Sequence, residues 1–288
     1  MAGLPVNEVD GMTLPAVTQE DLEHVRSAFN VRPDDTFVVG YVKSGTTWLQ
    51  EITRLIRDGD DCGTDIYTAV PWLEGVNCEA PAMGMKVIDT EKMQSPRIFK
   101  SHLPFHKFLG GPPNASPAKY IYVARNPKDM IVSLFSMSQY VAKQQAPSWD
   151  DYFKWFINDI KVSNFYGGWF PHVLGWWKYK DESNVLFLKY EDMRQHLPGV
   201  VKRIADFLGY AMEQEALDDI AQKCTFESMK INPFVNRTNV PIFQSGGFFR
   251  KGRVGDWKNY FTQEQSAEFD ALYAKKMKGT GLEFDFEA

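Results

Sequence analysis

Lys43-Ser-Gly-Thr-Thr-Trp48 follows a short β-branched run, Thr36-Phe-Val-Val-Gly-Tyr-Val42, and leads into a stretch where Trp48, Leu49, Ile52, Leu55 and Ile56 recur at helical spacing. A Gly-rich turn between strand and helix offers backbone N–H groups and the positive end of the helix dipole, which together suit an anion. Against the P-loop pattern G-x4-G-K-[ST], Gly40, Gly45 and the hydroxyl of Thr47 are in place, but Thr46 stands where the lysine belongs and Lys43 comes earlier. The usual lysine reaches β- and γ-phosphates. Its earlier placement points to a shorter anion, with the ammonium beside the transferring end. The hydroxyls of Ser44, Thr46 and Thr47 crowd around Gly45 as further donors.

Lys100 and His102, in Arg97-Ile-Phe-Lys-Ser-His-Leu-Pro104, flank one small residue. On an extended chain they project to the same face. A cation and a titratable base on one cavity wall are what transfer of an acidic group needs. A lone histidine in a strand is more often a core or surface residue, and the partnership with the phosphate loop reverses that reading. Arg125 ends the buried-type run Tyr120-Ile-Tyr-Val-Ala124, and Asn126-Pro127 then supplies an N-cap and a proline at the first helical position. An arginine at a strand's carboxyl end points into the crevice of an open α/β sheet and suits a phosphate monoester. Ser133 falls about two turns into the following helix. Near the C-terminus, Phe248-Phe-Arg250-Lys251-Gly252-Arg253-Val-Gly255-Asp256-Trp257-Lys258 sets three cations among glycines, as a loop closing on a phosphate would.

The elements that must position these residues alternate strand with helix, which predicts an α/β fold with a central, mostly parallel sheet flanked by helices. A third buried-type strand is expected at Asn184–Tyr190, followed after Pro198 by a helix to Leu208. Further helical patterns cover 18–29, 150–160, 213–223 and 263–277, with loop-rich stretches at 59–66, 75–97 and 109–118. No repeat, low-complexity tract or long linker divides the 288 residues, so one domain over 1–288 is expected. The net charge of −5 argues against a nucleic-acid partner. Three cysteines (Cys62, Cys78 and Cys224) do not make a disulfide framework, the N-terminus has no signal-peptide pattern, and no apolar run approaches a membrane span. A cytoplasmic protein with no membrane partner is expected.

These segments together resemble the cytosolic sulfotransferases, which use 3′-phosphoadenosine 5′-phosphosulfate (PAPS) as donor and release 3′-phosphoadenosine 5′-phosphate (PAP). The family's phosphosulfate loop usually reads Pro-Lys-Ser-Gly-Thr-Thr-Trp, and Val42 replaces the proline here. Lys100-Ser-His102 resembles the catalytic strand, Arg125 with Ser133 the 3′-phosphate segment, and Arg250-Lys-Gly-x-x-Gly-Asp-Trp-Lys258 the C-terminal signature. The resemblance spans roughly residues 36–260. It implies His102 as general base, Lys43 and Lys100 as charge stabilisers, and Ser133 as a partner of Lys43 that gates its use. It implies donor contacts from Lys43, Ser44, Gly45, Thr46, Thr47, Trp48, Arg125, Ser133, Tyr190, Cys224, Thr225, Phe226, Met229, Phe248, Arg250, Lys251 and Gly252. Cys224 and Thr225 stand where the family often has a Thr-Ser pair. No metal is implied, since the lysines supply the charge.

The acceptor wall is expected from Trp72, Phe105, Phe135, Met137, Tyr140 and Phe243, which favour a flat small aromatic acceptor such as a phenol, catecholamine or steroid. Gly75 and Met137 replace bulky aromatics of phenol-selective relatives and suggest a roomier pocket. The family's dimer motif, Lys-x3-Thr-Val-x3-Glu, keeps Lys258 and Thr262 but has Gln263 for valine and Ala267 for glutamate, so a monomer or weak homodimer is expected. The alternatives are a P-loop nucleotide kinase, which would want a lysine at Thr46, and a PAP- or PAPS-binding protein with weak or no catalysis.

Overall fold

Parallel strands buried on both faces read as continuous apolar runs, and four such runs build the central sheet: β3 (Thr36–Val39), β4 (Ile98–Ser101), β5 (Lys119–Ala124) and β6 (Val185–Lys189). The computed structural model describes residues 6–59, 63–142, 146–158, 165–243 and 248–287, with the side chains of 140–142 excepted. The sheet order is β4-β3-β5-β6, all parallel, with Thr36 beside Ile98 on one flank and Lys119 on the other. After β3 the chain adds β4 on one side and then crosses to the other side for β5. The carboxyl ends of β3 and β5 are therefore a topological switch point, where open α/β sheets bind ligands. The fold class expected from the strand–helix rhythm is the one observed.

Side chains alternate across the sheet. Phe37, Val39, Tyr120 and Tyr122 enter one apolar cluster, whereas Val38, Ile121 and Val123 enter the other. The first cluster packs against α4 (Pro127–Ala142), α5 (Trp149–Ile157), α6 (Trp169–Trp177) and α12 (Gln263–Met277); the second packs against α2 (Thr46–Asp58), α8 (Leu197–Leu208) and α9 (Gln214–Lys223). The remaining helices are α1 (Gln19–Ala28), α3 (Ile66–Ala69), α7 (Tyr190–Gln195), α10 (Phe226–Ile231) and α11 (Pro233–Asn236). Asn126 Oδ1 accepts from the Asp129 N–H at 2.8 Å, the N-cap that Asn126-Pro127 announces. The strand expected over 36–42 stops at Val39, and the helix expected over 150–160 spans Trp149–Ile157.

Besides the short helices α3, α7, α10 and α11, the structure adds two features to those expected from the sequence. One is an N-terminal hairpin, β1 (Val6–Val9) with β2 (Met12–Pro15), turning at Asp10-Gly11; the other is α6. Both residues of that turn have positive φ, 52° and 71°, the conformation that an Asp-Gly pair favours between two strands.

Candidate active site

A cavity of about 710 Å³ opens at the carboxyl ends of the sheet strands and is lined by Lys43, Lys100, His102, Arg125 and Tyr190. Lys43 follows β3, Lys100 and His102 lie on and just past β4, Arg125 follows β5 and Tyr190 follows β6, so backbone topology alone brings four distant segments to one crevice. Gly45 caps α2 with φ 105°, a left-handed conformation, and a Cβ there would meet the Tyr190 ring at 2.9 Å. Turn and close packing both call for glycine. The Thr47 hydroxyl is buried beside this turn and has no hydrogen-bond partner among the described residues. An orphaned hydroxyl next to the unpaired first amides of a helix forms a cradle for an anion.

Lys43 reaches over the Phe248 ring, 3.8 Å from its centroid. Burial, then Arg125, Lys100 and Arg250 in turn, bring its ammonium down to about 7. Ser133 lines the same cavity, but among the described residues no hydrogen bond joins it to Lys43. The gating contact implied by the resemblance is thus absent from this conformation, where Lys43 sits over Phe248 instead.

His102 lies one residue past β4, and its ring is fixed from several sides. Nδ1 is 2.6 Å from the Gly40 carbonyl, which can only accept, so Nδ1 carries the proton and Nε2 keeps its lone pair. The His102 amide donates to Glu74 Oε1 at 2.6 Å, and its carbonyl accepts from His172 Nε2 at 2.9 Å. The Tyr122 hydroxyl in turn donates to His172 Nδ1 at 2.8 Å. Burial, reinforced by the Lys100 charge, holds His102 well below the usual histidine value, which leaves a neutral base at physiological pH. Lys100 is buried and donates to the Tyr67 hydroxyl at 2.9 Å.

Arg125 stacks over Tyr190 at 4.3 Å and donates to the Arg253 carbonyl at 3.0 Å, while its buried Nε has no partner among the described residues. Asp256 gathers the loop's cations: it accepts from Arg250 at 2.5 Å and Lys251 at 2.7 Å, while Arg250 Nε also has no partner. Asp129, at the start of α4, accepts from the amides of Gly255 and Trp257 at 2.8 and 3.0 Å and ties this loop to the helix after Arg125.

The rings of Trp48, Tyr190, Phe226 and Phe248, with Met229, line the adjoining part of the cavity. Gly252, at φ 62°, lets the loop pass against Phe226, where a Cβ would fall 2.2 Å from the ring. Three donor residues expected from the resemblance do not reach the cavity surface. Ser44 is fully buried, and its hydroxyl has no hydrogen-bond partner among the described residues. Cys224 is fully buried, and its part is its carbonyl, which accepts from Trp48 Nε1 at 2.7 Å. The Thr225 hydroxyl is engaged as the N-cap of α10 and bonds Gln222 and Ser228.

On the acceptor side Trp72, Met137 and Phe243 line the cavity. Phe105 does not: it packs on Tyr179 at 4.1 Å and edge-on to Trp176, because the short helix after Pro104 turns it toward α6. Phe135 likewise faces Trp149 and Tyr152. The Tyr140 side chain lies outside the described residues. The space at Gly75 is filled by Met85 and Trp72, whose atoms stand 2.5 and 2.7 Å from where a Cβ would be, so the missing side chain leaves no extra room. The sequence reading missed Tyr67, Tyr166 and Arg237, and also the hairpin residues Val6, Glu8, Thr13 and Pro15, all of which face the cavity. Period-two alternation around Asp10-Gly11 is the signal that finds the hairpin set. Among the described residues no cluster of three or more His, Cys, Asp or Glu is placed to hold a metal, and no helix is long and apolar enough to cross a membrane.

The sulfotransferase domain profile matches residues 33–281. Sulfotransferase 1C2 of Rattus norvegicus is 39% identical over 295 residues, covering 98% of this chain and 96% of that protein. Sulfotransferase 1B1 of Mus musculus is 40% identical over 89% of this chain and 87% of its own. Among solved structures, retinol dehydratase in complex with androsterone and inactive cofactor PAP superposes with a TM-score of 0.82 at 26% identity, over 98% of this chain and 92% of that one. Mouse sulfotransferase SULT7A1 complexed with PAP superposes at 0.74 with 30% identity, over 95% and 94%. With the fold, the phosphosulfate-type turn and most of the chain's length in agreement, this chain belongs to the sulfotransferase family.

Proposed function

We propose that the protein transfers a sulfuryl group from PAPS to the hydroxyl of a small aromatic acceptor, a phenol, catecholamine or steroid-like alcohol. The observation that carries this reading is the convergence of Lys43, Lys100, His102 and Arg125 on one cavity beside the orphaned Thr47 hydroxyl. PAP-bound relatives of the same fold support the donor class. PAPS supplies a sulfuryl group activated on a phosphate leaving group. The turn at 43–48 would hold the 5′ end, Arg125, Arg250 and Lys251 the 3′-phosphate, and Trp48, Tyr190 and Phe226 the purine face, where stacking is worth about 1–3 kcal/mol per ring.

The acceptor's proton passes to His102 Nε2, the nitrogen left free by the Gly40 contact. Lys43 neutralises charge on the leaving oxygen and Lys100 on the sulfuryl oxygens, a positioned field of the kind that dominates such transfers. The buried, unpaired Cys78 and Cys224 suit a reducing compartment, and we place the enzyme in the cytoplasm. Exposed Gln263 and Ala267 on α12 fit a monomer or weak homodimer.

Radiolabelled sulfuryl transfer from PAPS to a panel of phenols, catecholamines, steroids and aliphatic alcohols tests the reading. Transfer to aromatic hydroxyls is expected, and in His102→Ala turnover should fall about a thousandfold while PAP binding persists. Tight PAP binding with no transfer to any acceptor would leave a nucleotide-binding protein instead.

A further inference from the structure

Tyr67 lies on α3, outside every motif discussed above, yet it lines the cavity together with Lys100 and His102. Its hydroxyl oxygen accepts from Lys100 Nζ at 2.9 Å, and the same ammonium lies 4.6 Å from the Tyr67 ring and 5.4 Å from that of Trp72. The guanidinium of Arg237 stacks on the Tyr67 ring at 3.7 Å. It is pinned there by donation to the Met83 carbonyl at 2.7 Å and by Asp65 at 3.7 Å. Lys100 and Arg237 are buried, whereas Tyr67 is partly buried and lines the cavity. A phenol offers one O–H donor besides its lone pairs. Lys100 occupies the oxygen, and the proton has no acceptor among the described residues. Facing the cavity, the hydroxyl is free to donate to solvent and to a ligand oxygen that displaces the solvent.

We propose that Tyr67 donates its phenolic O–H to a sulfuryl oxygen during transfer, completing the donor set of Lys43 and Lys100. This rests on the function proposed above. In the step, the acceptor's O–H bond breaks and its proton goes to His102 Nε2. The new O–S bond forms while the S–O bond to the nucleotide phosphate breaks, its electron pair staying on the phosphate oxygen. Tyr67 keeps its own proton throughout, and its hydrogen bond strengthens as charge moves onto the sulfuryl oxygens.

The electrostatics agree with the geometry. Burial by itself resists ionisation of Tyr67, but Lys100 and Arg237 outweigh it and draw the phenol below its ordinary value, with Asp65 opposing them. Tyr166, on the wall beside His102, is pushed well above the ordinary value by burial and by Glu74. Two phenols of one cavity are thus driven apart, the pattern by which a site separates roles. A more acidic phenol is a stronger donor to a developing anion.

Tyr67→Phe keeps the ring on which Arg237 stacks and removes only the hydroxyl. With PAPS and 2-naphthol, kcat should fall about a hundredfold, the scale of one lost preorganised donor, while PAP affinity and thermal stability stay near the wild-type values. Titration of near-ultraviolet phenolate absorbance gives a second readout without turnover. The wild type should show one tyrosine ionising below about 10; that step should vanish in Tyr67→Phe and move upward in Arg237→Met. A Tyr67→Phe enzyme with unchanged kcat, or a low-ionising step that survives in it, overturns the role of Tyr67 alone. A wild-type chain that binds PAP and transfers nothing overturns the function itself.

Discussion

At pH 8 the Lys43 amine of the ligand-free protein is mostly neutral, because burial and the neighbouring Arg125, Lys100 and Arg250 bring it down to about 7. A bound nucleotide anion reverses the local field and restores the ammonium, so the complex holds a proton that the free protein lacks. The sign follows: above pH 7, binding takes up a proton, and PAP affinity weakens as pH rises, by about tenfold per unit until the bound-state value is passed. Isothermal titration calorimetry at pH 8 in two buffers of different ionisation heat should report uptake of about one proton. Lys43→Met should abolish it. Zero uptake by the wild type would put Lys43 out of reach of the anion. His102 carries the complementary tuning: held neutral by burial and by Lys100, it is ready to accept a proton where an ordinary histidine would be partly charged.

The strand–turn–helix from Thr36 to Asp58 works as one element, since the orientation of the first turn of α2 sets where the hydroxyls and amides point. Gly45→Ala forces a side chain into φ 105° and against the Tyr190 ring, at a cost of about 1–3 kcal/mol for the backbone alone. We expect a lower unfolding midpoint and PAP affinity weakened at least tenfold, checked by thermal unfolding and calorimetric titration. Unchanged affinity would show that this turn is not the anion cradle. The same element shows why so much was legible. Strand, turn and helix are local, and their glycines, hydroxyls and apolar spacing stand in consecutive residues; the helical spacing from Trp48 to Ile56 falls within α2, Thr46–Asp58. Lys100 and His102 were equally readable, being two positions apart on one chain. Tyr67, Arg237 and Tyr166 were not, because each reaches the cavity through tertiary packing of a short helix or loop that has no periodicity of its own. Phe105 and Phe135 misled for the same reason: an aromatic residue next to a motif says nothing about which side of its backbone faces the cavity, and both turned into the core.

Across the whole molecule, a net charge of −5 surrounds a cavity whose described lining holds Lys43, Lys100, Arg125, Arg194, Arg237, Arg250 and Lys251 against a single carboxylate, Glu8. All of these cations except Arg237 lie on or after the sheet strands or on the C-terminal loop, whereas Glu8 belongs to the N-terminal hairpin. The cavity therefore has two builders. The sheet's carboxyl ends and the loop around Arg250 form the donor half; the hairpin, α3 and the segment at Arg237–Phe243 wall the other half. Acceptor choice should then be separable from donor binding. Thr13 tests this, because it faces the cavity from β2 and its strand is tied through the Tyr166 amide, which donates to the Thr13 carbonyl at 3.3 Å. Thr13→Trp leaves that backbone bond in place and fills acceptor space. For a steroid-sized acceptor KM should rise about tenfold or more, since losing complementary apolar contact costs 1–3 kcal/mol, while for a single-ring phenol it should change far less. PAP affinity should remain at the wild-type value, because the residues proposed to hold the donor come from other segments of the chain. Steady-state kinetics with both acceptors and calorimetry with PAP decide it: equal losses for all three ligands would mean that the hairpin supports the whole cavity and does not select the acceptor.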